Sequence, residues 1–363
     1  MKKVVSMLCA VSLSAALFAG CGAAASSESA VYSEPESVAS SEEAVKSTLA
    51  SAESAPEAVT ADPIEINITA MKGPTAMGMV ELMSEADSGE LTDNNYNFTL
   101  ASAPDEVSAA LAQGTTDIAA LPANLASVLY NNTNGGVEVL AINTLGVLYI
   151  VESGDTVQSV EDLRGKTIYA SGKGSTPEYA LNYILSQNGI APETDVTIEW
   201  KSEHAECLSA LMSEENGIAM LPQPFVTTAQ TKSDNIRVAL DLTKEWDKLQ
   251  ADSSSPSALI TGVAVVRTEF AKEHPEAVTA FMEHYKESVD FVNENTADAA
   301  QLIGSYDIVP AAVAEKALPA CNIVYITGDE MESKLSGYLN VLFEQNPKAV
   351  GGSIPSDDFY YAG

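Results

Sequence analysis

A six-residue phrase occurs twice, and it constrains the fold more than any other feature of the chain. Asp117-Ile118-Ala119-Ala120-Leu121-Pro122 returns as Gly217-Ile218-Ala219-Met220-Leu221-Pro222. Each copy is a short apolar run closed by proline. That is how a buried strand feeds the first turn of a helix, where the amide that proline lacks would have no partner anyway. Two short apolar strands can resemble each other by coincidence. The other reading is two lobes of like α/β architecture facing one another, and the phrase alone leaves both open.

Around each copy, apolar-alternating segments exchange with amphipathic ones. Ile64 to Ala70 alternates as a strand, Gly73-Pro74 breaks it, and Thr75 to Ala86 carries Met79, Val80, Leu82 and Met83 at helical spacing. Tyr96 to Leu100 predicts a strand, Pro104 to Gln113 a helix, Asp117 to Leu121 a strand, Pro122 to Tyr130 a helix and Val137 to Ile142 a strand. The chain then runs extended through Leu145 to Val151 into a second series. Its strands are Thr167 to Ala170, Val196 to Trp200, Ile218 to Leu221 and Ile236 to Asp241; helices follow from Glu178, Ala205 and Pro224. Thr261 to Arg267 reads as a strand returning to the first lobe, and the remainder is helical, with Val278, Phe281, Met282, Tyr285, Val289 and Val292 on one stripe. Strands exchanging with helices predict mainly parallel sheets covered by helices. The two extended crossings predict a hinge.

The amino-terminal segment speaks of compartment. Lys2 and Lys3 precede the apolar run Val4 to Phe18. That run is too short for a membrane span, which needs about 20 apolar residues, but it suits a secretory signal over 1–20. Leu17-Phe18-Ala19-Gly20-Cys21 resembles the lipobox of bacterial lipoproteins, with Leu17 one place early, and marks Cys21 for lipidation. An ordinary secretory signal cut nearby is the plainer alternative. The composition of residues 21–62 weighs against it. They are Ser, Ala and Glu with scattered Pro and the single Lys46, which favours a disordered acidic tether.

A net charge of −33 disfavours nucleic acid and anionic membrane surfaces as partners, since both reward Lys and Arg. Cys207 and Cys321 are expected as small buried hydrophobes. His204, His274 and His284 lack metal-ligand spacing and are expected at the surface. Neither a Gly-x-Ser-x-Gly elbow, nor a phosphate loop ending in Gly-Lys-Ser/Thr, nor Cys-x-x-Cys occurs, so nothing points to an enzyme, a metal or a cofactor.

From about residue 64 to 363 the chain resembles the nitrate/sulfonate/taurine-type periplasmic binding proteins, a group that includes binders of thiamine-pyrimidine precursors. The resemblance is carried by Lys72-Gly73-Pro74-Thr75, by Asp117-Ile118-Ala119 before Pro122, by Val160-Glu161-Asp162-Leu163-Arg164-Gly165-Lys166-Thr167-Ile168, and by the ending Ile354 to Tyr361. It implies a two-lobed α/β clamshell of type II, with ligand held between lobe I (63–147 and 261–363) and lobe II (148–260). It also implies an extracytoplasmic, monomeric solute-binding lipoprotein that works with ABC permease subunits.

Ligand in such folds sits beyond the carboxyl ends of strands, where helices begin. The turns that qualify supply Lys72, Pro74, Thr75, Met77, Ser102, Pro122, Asn124, Lys173, Gly174, Ser175, Thr176, Pro222 and Gln223 as candidate ligand residues. For Gly172-Lys173-Gly174 and for Lys72, a tight turn with a solvated lysine is the bland alternative. Hydroxyls, amides and two lysines suggest a small organic molecule with a sulfonate- or carboxylate-like group. A neutral heteroaromatic vitamin precursor stacked on Tyr149 or Phe225 is the runner-up. A ligand-sensing lipoprotein that serves a receptor would have the same fold and tether.

Overall fold

Two sheets account for the alternation. In the computed structural model, which describes residues 63–192, 194–251 and 257–363, the chain first lays down β1 (Ile64–Met71), β2 (Asn94–Ala101), β3 (Ile118–Pro122) and β4 (Val137–Leu145). The second sheet comprises β5 (Leu148–Ser153), β6 (Thr167–Ser171), β7 (Thr197–Lys201), β8 (Ile218–Pro222) and β9 (Ile236–Asp241). β10 (Ile260–Arg267) and β11 (Ile323–Ile326) then complete the first. The proposed signal, Cys21 and the tether lie outside the described residues.

Strand order is β11-β4-β10-β3-β1-β2 in one sheet and β7-β6-β8-β5-β9 in the other. The repeated phrase forms β3 and β8, and these occupy equivalent places. β3 lies between parallel β1 and antiparallel β10, and β8 between parallel β6 and antiparallel β5. The repetition is therefore architectural: both copies face the same pair of neighbours and so need the same small, apolar, doubly buried side chains. Each sheet runs mainly one way, and the strand that carries the chain in from the other sheet runs against it.

The helices are α1 (Pro74–Met77), α2 (Val80–Ser88), α3 (Pro104–Gln113), α4 (Ala123–Thr133), α5 (Thr176–Gln187), α6 (His204–Ser213), α7 (Phe225–Lys232), α8 (Leu242–Gln250), α9 (Thr268–Glu273), α10 (Pro275–Glu294), α11 (Thr296–Ser305), α12 (Ala311–Ala317) and α13 (Gly328–Gln345). The single helix expected over Thr75 to Ala86 is broken into α1 and α2. At the break, a Cβ on Gly78 would lie 3.1 Å from Ile323 Cγ2 and 3.3 Å from Val289 Cγ2, so the backbone itself packs there. Sequence reading passed over α8 and β11. α8 shows only Leu242, Trp246 and Leu249 on its apolar side, and it is started by Asp241, whose Oδ1 accepts from Thr243 N at 3.1 Å. β11 is too short to show a period.

One apolar core spans both sheets, joining Ile142 and Val263 to Ile150, Ile168 and Ala170. α13 contributes Met331, Leu335, Tyr338, Leu339 and Leu342 to it, all fully buried. Each such side chain is worth roughly 1.5–3 kcal/mol relative to exposure. Cys207 and Cys321 are buried and unpaired, as expected.

The crossings are held tightly. Leu145 pairs with Ile260, Leu145 N donates to Asn322 O at 3.1 Å, and the Asn322 side-chain amide donates to Gly146 O. A Cβ on Gly146 would overlap Thr243 Oγ1 and sit 3.1 Å from Leu259 Cδ2. Overpacking of this kind costs about 1–3 kcal/mol. Gly146→Ala should therefore lower Tm in a thermal melt, and adding Thr243→Ala should recover part of the loss. An unchanged Tm for the single variant would show that the crossing has room to spare.

Glu81 and Glu85 lie one turn apart on α2, and the packing of α2 on α10 brings Glu287 near both. Desolvation first, then the Glu85 and Glu287 carboxylates, push the Glu81 carboxyl from 4.5 up to about 7. The folded protein thus binds a proton here that the unfolded chain has released, and stability falls as pH rises from 4.5 through 7. Glu81→Gln should melt higher than the parent at about pH 8 and nearly equal to it at about pH 4. The reverse order would refute this assignment.

Candidate ligand-binding site

The carboxyl ends of β1, β3, β6 and β8 are the ligand edge of this architecture. Several predicted residues stand at it but are already occupied. Lys72 Nζ donates to Asp307 O at 2.9 Å and pairs with Asp307 Oδ2 at 3.5 Å, tying the β1–α1 turn to the exit of α11. Met77 is fully buried in the core under α1 and does not reach the edge. Thr75, beside Pro74 in the first turn of α1, donates its hydroxyl to Met71 O at 2.8 Å. Ser102 is exposed, and its amide goes to Glu106 Oε2 at 3.1 Å. Gln223, next to Pro222, caps α7: its Oε1 accepts from Thr227 Oγ1 at 2.9 Å and Thr227 N at 3.3 Å. Tyr149 is buried, with its hydroxyl donating to Ala320 O at 3.3 Å, and offers no stacking face.

The β6–α5 turn is a glycine loop with φ of +81° at both Gly172 and Gly174, a conformation that side chains rarely adopt. Ser175 Oγ donates to Gly172 O at 2.9 Å, and Gly174 N donates to Glu178 Oε2 at 2.6 Å. A resident carboxylate therefore holds the loop amide expected to receive an anion. Lys173 is exposed and has no carboxylate within 4.0 Å among the described residues.

Two predicted residues from different sheets are brought together. Thr176 Oγ1 donates to Asn124 Oδ1 at 3.4 Å, and both side chains are buried. They open α5 and α4, whose first turns carry no side-chain cap; Pro122 is the N-cap of α4 and Ser175 that of α5. Uncapped amides and the aligned backbone dipoles at two adjoining helix starts favour negative charge, by about 0.3–1 kcal/mol per exposed end and up to ~2 when partly buried.

Sequence reading missed the β7–α6 turn, although it is the counterpart of the β2–α3 turn in the other sheet. His204 is half-buried rather than free at the surface. Its Nδ1 hydrogen-bonds Ser171 Oγ at 2.5 Å, and its ring lies 5.0 Å from that of Phe225. The signal that could have found it is the shared strand order, which is a tertiary fact. His284 is also engaged, through Tyr96 OH at 2.8 Å. Among the described residues no cluster of His, Cys, Asp or Glu could hold a metal, and no helix is long and apolar enough to cross a membrane. Among the described residues there are recesses of about 330 and 350 Å³. The first, beside Arg267, lies at the amino ends of β3 and β4; the second lies between α5 and the end of α13, so neither is at the ligand edge.

Residues 90–317 match the family model described as ABC transporter, phosphonate, periplasmic substrate-binding protein. The chain belongs to this family. It is a family of substrate-binding proteins rather than enzymes. Curated relatives include binding proteins of Brucella abortus and Brucella suis, each 25% identical over 218 residues. The match spans 58% of this chain and 64% of each relative's length. Among solved structures, an ABC transporter protein from Parabacteroides distasonis superposes with TM-score 0.67 at 22% identity, covering 83% of this chain and 99% of that one. The periplasmic aliphatic sulphonate binding protein of Escherichia coli gives 0.64 at 15%, covering 80% and 91%. A Candida albicans protein described as exhibiting the generic periplasmic binding protein structural fold gives 0.53 at 14%, covering 81% and 92%. These likenesses establish the periplasmic-binding-protein fold. The family is the phosphonate one, and the expected kinship with nitrate/sulfonate/taurine binders is at this level a kinship of fold.

Burial pushes the His204 imidazole from 6.5 down to about 4. The unfolded chain therefore takes up a proton below pH 6.5 that the folded protein refuses until about pH 4, and stability is lost as pH falls through that window. His204→Asn should flatten the dependence of Tm on pH between 6.5 and 4. A slope identical to the parent's would place the ring in solvent.

Proposed function

We propose that this protein is the extracytoplasmic solute-binding subunit of an ABC importer, capturing a small organic molecule that bears a phosphonate- or sulfonate-like group. The observation that carries this reading is the meeting of two uncapped helix starts, α4 from one sheet and α5 from the other, at the ligand edge. Lys173 adds a cation without a carboxylate partner on the adjoining loop, while the cations at Lys72 and Lys201 are ion-paired. The family match and the fold support the same reading. The division into lobe I (63–147 and 261–363) and lobe II (148–260), closing on ligand about the two crossings, belongs to this proposal. So does anchoring through lipid on Cys21, with a tether over 21–62 spacing the binding unit from the membrane.

A thermal-shift screen followed by calorimetry tests the reading. The panel is methylphosphonate, methanesulfonate, inorganic phosphate and a neutral aminopyrimidine. A compound present at about 100 times its dissociation constant adds about 2.7 kcal/mol to stability, which a melt resolves easily. The oxoanions should raise Tm and the pyrimidine should not. A response to the pyrimidine alone would favour the stacked heteroaromatic reading instead, with Phe225 on its His204 partner as the stacking face. Lys173→Met should weaken oxoanion binding about tenfold, the loss of one charge-assisted contact. Unchanged affinity would reduce Lys173 to a solvated surface lysine. For the anchor, Cys21→Ala should abolish detergent-phase partitioning of the mature protein, and retained partitioning would overturn the lipid assignment.

A further inference from the structure

Asn124 and Thr176 do not stop at one another. Tyr338, on α13, donates its hydroxyl to Thr176 Oγ1 at 3.0 Å; Thr176 donates in turn to Asn124 Oδ1 at 3.4 Å; Asn124 Nδ2 donates to Ala349 O at 3.1 Å. Every donor in this relay points one way, and Thr176, Asn124 and Tyr338 are each at most 1% exposed. The Tyr338 ring stands 5.7 Å from Trp246 of α8, on the side of the second sheet, while Ala349 follows α13 against α4. The carboxy-terminal helix therefore contacts both sheets and reaches the two uncapped helix starts from behind.

This arrangement changes what Asn124 and Thr176 can do. The Thr176 hydroxyl and one N–H of the Asn124 amide are spent inside the protein. The main chain therefore offers a ligand chiefly the first-turn amides of α4 and Thr176 N of α5, since Pro177 has no N–H and Glu178 N goes to Ser175 O at 3.0 Å. Those amides serve one oxoanion only if the two helix starts keep a fixed spacing and angle. We infer that Tyr338 is a positioning residue for binding: through Thr176 and Asn124 it holds the starts of α4 and α5 in register, without touching ligand itself. The inference rests on the oxoanion-binding reading proposed above.

Tyr338→Phe removes one hydroxyl and keeps the ring that packs on Trp246. Ser127→Ala is the control: Ser127, fully buried on α4, donates to Val350 O at 2.8 Å, so it loses a comparable buried bond to the same carboxy-terminal segment outside the relay. Calorimetry with methylphosphonate on the full chain should show Tyr338→Phe weaker by about five- to tenfold, the worth of one buried hydrogen bond. Ser127→Ala should lose stability and keep the parent's affinity. Parent-like affinity for Tyr338→Phe, or equal weakening by both variants, overturns the inference. Amide hydrogen exchange separates this from a failure of the binding reading. If the parent binds none of the oxoanions, that reading fails, and the relay stands only if Tyr338→Phe speeds exchange in both 123–133 and 176–187 while Ser127→Ala affects the first alone. Unchanged exchange in Tyr338→Phe overturns it.

Discussion

Everything in this protein depends on how the chain passes between its two sheets. It does so in extended strands that insert among the strands of the sheet they enter, β5 between β8 and β9, β10 between β3 and β4. A strand inside a ladder has a fixed register, because a slip by one residue would turn its buried side chains outward. The sheets are thereby joined by a short crossing at Gly146–Val147, with no room for a side chain at Gly146, and again where the chain enters β10 at Ile260. The continuous core under α13 closes the back of the joint.

Polar groups at the ligand edge sort into two kinds. At the turns before α3, α5 and α6, a glutamate in the first helical turn reaches back to a loop amide, as Glu106 does to Ser102, Glu178 to Gly174 and Glu206 to Ser202. Those amides are satisfied locally and stiffen the turns. α4 has no such residue, and its first turn carries no side-chain cap. Unsatisfied donors in a half-buried place are costly unless something accepts from them, which is the physical content of a binding site.

Charge is managed in the same spirit. Among the described residues, nine of the fifteen lysines and arginines have a carboxylate within 4.0 Å. Arg267 holds Asp117 at 2.9 Å, and Arg237 holds Glu152, a carboxylate with no exposed surface that also accepts from Thr156 N at 2.8 Å and Val157 N at 3.2 Å. Glu152 accepts four hydrogen bonds in all, and removing the arginine from such a buried pair would cost several kcal/mol, roughly 3–5. Lys173 is among the six that have no such carboxylate neighbour, and of these it is the one on the β6–α5 turn.

Much of the fold was legible in the residues because the signals were local. Period-two and helical alternation, proline at helix starts and the repeated phrase at 117–122 and 217–222 depend only on neighbours along the chain, and they mark nearly every strand and helix start. α8, β11 and the break at Gly78 escaped because their causes are distant: Trp246 finds its partners on Tyr183 and Tyr338, and Gly78 is pressed by Ile323 and Val289. The site divides along the same line. Sequence alone marked most of the turns at the carboxyl ends of the strands, since strand direction and helix order follow from the alternation, and the β7–α6 turn escaped it. Only the tertiary structure decided which of their side chains remain to be used. Lys72 meets Asp307, Asn124 meets Thr176 and His204 meets Ser171 across separations of tens to hundreds of residues, and a hydrogen bond depends on distance in space, to which distance along the chain is no guide.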